Sequence, residues 1–100
     1  MQMGAILQDN ILQKVTIIGS GLMGHGIALK FAQHGFSVNV YDPNNNSLST
    51  LLDRVKTSLS QISVTESRIK NIVSSIKASN NLSESIKSSE FIVEAVPEKL

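Results

Sequence analysis

Cysteine is missing from this 100-residue chain. Disulfides, thiolate zinc sites and a cysteine nucleophile are therefore excluded. Excess charge of one sign is also missing: the formal net charge is +1, so no broad field draws nucleic acid or anionic lipid. Neither nucleic acid nor membrane is expected as a partner. No run of about 18 apolar residues occurs, so no membrane span is expected. Residues 1–10 have neither a basic start nor a long apolar middle, which argues against a signal peptide. The first glycine stands at position 4 rather than 2, so N-myristoylation is not indicated. The expected location is the cytoplasm. Hydrophobic residues make up 41% and charged residues 17% of the chain, ordinary values for one small globular domain.

Proline is scarce, and both prolines stand where a strand pattern ends. Residues 11–18 carry the first such pattern. Val15, Thr16, Ile17 and Ile18 form an unalternating β-branched run, as in a strand buried on both faces. Residues 22–35 read as a helix: Met23, Ile27 and Phe31 fall four apart beside a ridge of Gly24, Ala28 and Ala32, with Gly35 as C-cap. A second strand over 36–41 stops at Asp42-Pro43, and Asn44 begins a turn and cap. Leu48, Leu51, Leu52, Val55 and Leu59 predict one helix over 46–60. Ser63 and Glu66 fit a capping box ahead of a third apolar stripe, Ile69, Ile72, Val73 and Ile76. A short strand at 76–79, a short helix at 82–87 and a buried strand at 91–96 complete the pattern. The alternation predicts an α/β fold: a Rossmann-like, doubly wound parallel sheet, incomplete at about four strands, with right-handed crossovers. Residues 1–10 are expected as an N-terminal extension and 11–100 as a partial dinucleotide-binding domain, with no C-terminal helical domain.

Gly19-Ser20-Gly21-Leu22-Met23-Gly24 is G-x-G-x-x-G, placed directly after a strand and at the opening of a helix. Gly19 permits the tight turn, Gly21 lets the backbone approach a pyrophosphate, and Gly24 allows close helix packing. The helix N-terminus near Leu22 then holds the diphosphate. Asp42 follows Gly24 by 18 residues, at the end of the second strand, where a carboxylate accepts from ribose hydroxyls and repels a 2′-phosphate. No arginine follows it before Arg54, which favours NAD over NADP. NAD and FAD are not separated by these residues. The glycines read alternatively as a turn with a packing contact, and Asp42 as a turn aspartate. Ser20 reads as loop filler, His25 as a variable helix residue and His34 as a partner of the helix dipole. Arg68, Lys70 and Lys77 read as solvated charges. No metal site is expected.

The segment 15–28, containing G-L-M-G-H-G-I-A, resembles the start of the NAD-binding domain of 3-hydroxyacyl-CoA dehydrogenases, a family that includes 3-hydroxybutyryl-CoA dehydrogenase. Val40-Tyr41-Asp42 and the segment 91–98, F-I-V-E-A-V-P-E, match two further family segments. The resemblance implies that Gly19, Ser20, Gly21, Leu22, Met23 and Gly24 hold the NAD diphosphate and that Asp42 holds the adenosine ribose. It implies that Ala95 and Val96 border the cofactor and that Glu98 approaches its nicotinamide end. Glu94 is given a structural role.

The family's reaction is reversible hydride transfer between NAD and C3 of a 3-hydroxyacyl-CoA, a step of fatty-acid metabolism. It uses a histidine general acid/base oriented by a glutamate, with a serine before and an asparagine after. The resemblance puts all of these after the matched segment. The segment 60–79 is shorter than in many relatives, and no CoA contact is carried over. No catalytic residue is therefore expected in these 100 residues, and no turnover from them alone. The acyl-CoA is expected to bind only when the rest of the enzyme is supplied. A complementary chain or self-association is expected at the open sheet edge. Two other readings stay open: a non-catalytic dinucleotide-binding or interaction module, and a decayed gene product.

Overall fold

Short β-branched runs separated by helices suit parallel pairing, which needs a crossover long enough to return the chain to the same end of the sheet. The computed structural model describes residues 13–87 and 89–95 and contains four such strands. They are β1 (Lys14–Ile18), β2 (Ser37–Tyr41), β3 (Ile76–Ser79) and β4 (Phe91–Glu94), in the order β3-β2-β1-β4. All three pairings are parallel, with Val15 opposite Val38 and Phe91, and Val38 opposite Ile76. The helices between them are α1 (Leu22–Gln33), α2 (Asn45–Ser49), α3 (Leu51–Gln61), α4 (Glu66–Ser74) and α5 (Leu82–Ile86). This is the expected incomplete doubly wound sheet. Residues 1–10, Ile11, Leu12, Val96 and Glu98 lie outside the described residues.

One face of the sheet carries the core. Val15, Ile17, Val38 and Val40 are fully buried against Ala28, Leu29 and Ala32 of α1 and Leu51, Val55 and Leu59 of α3. The small ridge of α1 is what lets the helix lie close to the strands. Met23 is not part of that ridge's burial: it is 62% exposed, and Ile27 and Phe31 only flank the core. The C-terminus of α1 closes as a Schellman motif: Gly35 N–H donates to Ala32 O, and Phe36 N–H to Phe31 O. Phe36 then packs edge-on to Phe31, with ring centroids 4.9 Å apart. The opposite face is polar. Thr16 is fully buried there, and its hydroxyl donates to the Ser85 carbonyl of α5, which also accepts from Asn39 Nδ2 at 3.0 Å. β1 is thus buried on both faces, one by packing and one by hydrogen bonds.

Three expectations need correction. The helix expected over 46–60 is two helices that meet at Thr50. The Ser49 and Thr50 hydroxyls bond back to the carbonyls of Asn46 and Ser47, offering the backbone an alternative to the helical ladder. The capping box at Ser63 does not form. Thr65 caps α4 instead, its hydroxyl accepting from Arg68 N–H, because Ser63 is already used to end α3. There Ser63 sits at φ 65° while Ser63 N–H donates to Ser60 O and Val64 N–H to Leu59 O. Finally, β4 lies at the open edge expected for it but is not the buried strand its apolar run predicts. Phe91 and Ile92 are 50% and 53% exposed, since among the described residues nothing pairs along its outer side.

Ser63 bears the cost of a left-handed conformation that glycine adopts freely. Ser63→Gly is expected to stabilise the chain by about 0.5–1 kcal/mol, the cost of the left-handed conformation less the greater unfolded-state entropy of glycine, read as a rise in denaturation midpoint with an unchanged denaturant slope.

Candidate cofactor-binding site

β1 ends in the core and must turn sharply to start α1 above the sheet. Gly19 makes that turn at φ 111°, and its N–H donates to Tyr41 O at 2.7 Å, fastening the loop to the end of β2. Gly24, one turn into α1, lies directly on this loop: a Cβ there would meet Gly19 O at 1.9 Å. The third glycine is therefore needed against the loop itself rather than against a strand. Gly21 differs, for a Cβ there would meet nothing within 4 Å. It faces open space at the N-terminus of α1, where it provides no side-chain cap, and no acidic residue stands in the first turn. The leading N–H groups of α1 are thus left for a ligand, and the helix dipole favours an anionic one.

Asp42 closes the site from β2. Its Oδ2 accepts from both the N–H and the hydroxyl of Ser20, each at 2.8 Å, and its Oδ1 accepts from Asn44 N–H at 2.9 Å. Ser20 is completely buried. It is no loop filler, and that expectation is overturned. Its Oγ also lies 2.5 Å from Ser47 Oγ. A serine has one hydroxyl proton, and a carboxylate can only accept; Ser20 therefore donates to Asp42, and Ser47 donates to Ser20. Burial works to raise the Asp42 carboxyl, but the N–H groups of Asn44 and Ser20, the Ser20 hydroxyl and the charge of Arg54 outweigh it. The carboxyl is held below its usual range.

Arg54 and His25 brace the loop from behind. Arg54 Nε donates to Thr50 Oγ1 at 3.1 Å, and its terminal nitrogens donate to Ser47 O at 2.8 Å and Gly21 O at 3.4 Å. His25 is buried, with Nδ1 3.3 Å from Gly21 O and Nε2 3.2 Å from Ser58 Oγ. Since a carbonyl only accepts, Nδ1 carries a proton, and in the neutral ring the Ser58 hydroxyl then donates to Nε2. His25 ties the start of α1 to α3. His34 lies at the far end of α1, its Nδ1 2.8 Å from Lys30 O, as expected of a residue at a helix C-terminus. Arg68, Lys70 and Lys77 are exposed.

Gly19, Gly21, Asp42 and Ala95 line one cleft of about 290 Å³ together with Ile18, Pro43, Asn44 and Ser47. It opens beyond the C-terminal ends of β1, β2 and β4. At β1 the chain's order reverses from β2 on one side to β4 on the other, the position where doubly wound sheets bind ligands. Ala95 is held there by its N–H, which donates to Ile18 O at 2.8 Å. Ser20 and Gly24 lie beneath the loop, and Leu22 is 86% exposed at its rim. Ser47 and Arg54 were not singled out as site residues by the sequence; they stand on either side of the break at Thr50, and Arg54 reaches the Ser47 carbonyl at 2.8 Å. Among the described residues there is no cluster of potential metal ligands and no helix long and apolar enough to cross a membrane.

Fold and loop together define a dinucleotide-binding domain of the doubly wound class. The family described as the NAD binding domain of 3-hydroxyacyl-CoA dehydrogenase matches residues 14–100, and the chain belongs to that family. It is 31% identical over 98 residues to a probable 3-hydroxyacyl-CoA dehydrogenase of Caenorhabditis elegans, covering 89% of this chain and 32% of that protein. It is 30% identical over 93 residues to a probable 3-hydroxybutyryl-CoA dehydrogenase of Bacillus subtilis (strain 168), with 89% and 32% covered. The crystal structure of an (S)-3-hydroxybutyryl-CoA dehydrogenase from Ralstonia eutropha superposes with a TM-score of 0.79 at 26% identity, over 90% of this chain and 33% of that one. The chain spans about a third of the length of these relatives.

Two outcomes test the geometry. Gly24→Ala drives a methyl into a backbone carbonyl that no side-chain movement can relieve, and should destabilise the fold by about 3 kcal/mol or prevent folding, seen in chemical denaturation. A carboxyl lowered in the folded chain stabilises above the ordinary carboxylate range, and the benefit is lost as pH falls through its folded-state value. The gap in melting temperature between the unaltered chain and Asp42→Asn should therefore be widest near neutrality and shrink as pH falls below the ordinary carboxylate range. A gap independent of pH would contradict this role of the charge.

Proposed function

We propose that this chain holds NAD with its diphosphate on the loop from Gly19 to Gly24 and its adenosine ribose on Asp42. The observation that carries this reading is the single cleft shared by Gly19, Gly21, Asp42 and Ala95 at the strand-order reversal. The residues fit the group: the first-turn N–H donors of α1 are uncapped by Gly21, and open space surrounds Gly21. Ser20 acts from beneath, by fixing the carboxylate. Leu22 and Met23 contribute backbone, their side chains being exposed. Ala95 bounds the cleft wall. Val96 and Glu98 belong to the same reading, as cofactor border and nicotinamide-end residue, and lie outside the described residues.

When bound, NAD supplies the hydride acceptor. A whole protein that carried this cofactor-binding part would be a cytoplasmic enzyme of fatty-acid metabolism that oxidises a 3-hydroxyacyl-CoA, and the dehydrogenase activity is the part of this reading that the names of its relatives support. We propose further that the 100 residues alone do not turn over. Among the described residues lining the cleft, Asp42 is the only ionisable one, and its oxygens already accept from Ser20 and Asn44. Both histidines are engaged elsewhere, with Gly21 and Ser58 or with Lys30. A general acid/base supplies about 10²–10⁴-fold in rate, and substrate positioning more. The exposed apolar edge of β4 suits strand addition by a complementary chain or a second copy.

Thermal melts with NAD test the binding reading. The expected result is a rise in melting temperature with NAD that Gly21→Ala abolishes while leaving the ligand-free melt close to that of the unaltered chain. A shift that survives Gly21→Ala would remove the diphosphate from this loop. Turnover is tested by NADH consumption with acetoacetyl-CoA, where rates ordinary for a dehydrogenase would refute the claim of inactivity.

A further inference from the structure

The polar face of the sheet breaks a rule of parallel sheets. Such sheets are covered on both sides, and their strands read as nearly continuous apolar runs. β2 and β3 do not: Ser37 and Asn39 alternate with Val38 and Val40, and β3 reads Ile-Lys-Ala-Ser. Positions that break such a pattern are where function is expected. The Ser85 carbonyl, met by Thr16 and Asn39, sets α5 over β1 and β2. Beside α5 a groove of about 340 Å³ runs along the polar faces of β2 and β3. Lys14 enters it from β1, Lys77 from β3 and Lys87 from the end of α5, with one carboxylate, Glu84, among them. All three lysines are exposed, and the groove shares no residue with the cofactor cleft.

The register sets the spacing of the charges. Lys14 stands opposite Ser37, and Lys77 opposite Asn39. Two inter-strand steps of about 4.8 Å and two residues of about 3.3 Å along the strand put the two lysine Cα atoms about 12 Å apart. Their long side chains can reach one ligand from either side, over a floor that includes Ser37 and Asn39. Three like charges brought to one concavity repel one another, and an anion relieves that repulsion. The whole chain carries only +1, so this charge belongs to the groove and not to the surface at large. Lysine binds phosphate as a point charge, and a concavity of this size suits a small molecule. We propose that the groove is a second ligand site, in which Lys14, Lys77 and Lys87 hold a small, multiply charged phosphate compound. It does not depend on what the cofactor cleft binds.

The test titrates the full chain with inorganic pyrophosphate and follows each backbone amide by NMR. Saturable shifts are expected at Ser37, Asn39, Lys77 and Ser85, separate from any at Gly19 to Gly24. Lys77→Gln should weaken this binding about fivefold, the upper range for one exposed charge pair. If Lys77→Gln fails to fold, Lys87→Gln, which lies outside every strand and helix, carries the same expectation. Glu84→Gln removes the opposing charge and should tighten binding. Lys30→Gln makes the same change of charge at an exposed position of α1, outside the groove, and should leave the affinity within about twofold. Shifts confined to Gly19 to Gly24 overturn the proposal, as do shifts that never saturate. So does a Lys30→Gln loss as large as that of Lys77→Gln, which would mean attraction by net charge alone.

Discussion

The cofactor end of this domain depends on one carboxylate. Asp42 ends β2, and by accepting from Ser20 N–H and Oγ it fixes the loop that leaves β1. The sheet alone does not do this: its ladder pairs β1 with β2 only as far as Ile18 and Tyr41, and Gly19 adds one further bond. Between Ile18 and Leu22 the loop has only three residues, Gly19 to Gly21, in which to reverse direction and become a helix. Hydrogen bonds to a charged acceptor are worth roughly twice neutral ones. With Ser20 fastened, the turn at Gly19 and the approach of Gly24 to it follow as one geometry. The free N–H groups of α1 are then aimed beyond the strand ends rather than along the surface.

What could be read from the residues was whatever depends on residue type at a fixed spacing. The glycines are legible because no other residue fits Gly19 or Gly24. Asp42 is legible by its distance from them, and the strand at Ile76–Ser79 by its apolar start after a helical stripe. The partnership of Ser20 with Asp42 spans 22 residues, and that of Arg54 with Gly21 spans 33. A hydroxyl or a guanidinium leaves no periodic trace of where its partner will be, so these contacts were invisible. The cap of α4 was misplaced for a related reason. Ser63 and Thr65 are both good caps, and only the closing geometry of α3, which commits Ser63 to a left-handed turn, decides between them. For β4, the apolar run is real, but burial of a strand is set by what lies beside it, and that is not written in the strand.

The two faces of the sheet are built on different principles. One is close-packed aliphatic surface, where loss of a methylene is felt directly. The other joins strands to α5 through the Ser85 carbonyl, which takes donors from Thr16 on β1 and Asn39 on β2. A shared buried acceptor of this kind fixes register more than it adds stability, because the net gain of each hydrogen bond is only about 1 kcal/mol whereas leaving either donor unpaired would cost more. A sheet of four strands with one face of this sort and an exposed apolar edge has little stability to spare.

Folding and cofactor binding therefore draw on the same groups. The carboxylate that fastens the loop is the one proposed to meet the ribose, and the helix start that the loop positions is the one proposed to meet the diphosphate. A ligand that binds only the folded chain adds about 2.7 kcal/mol at a hundred times its dissociation constant, a large increment for a domain this small. The same sharing limits substitution at position 42. A replacement must satisfy Ser20 and Asn44 before its effect on any ligand matters. Because those donors are met by an anion, whatever relieves Asp42 of the task must itself be anionic or bring its own acceptors.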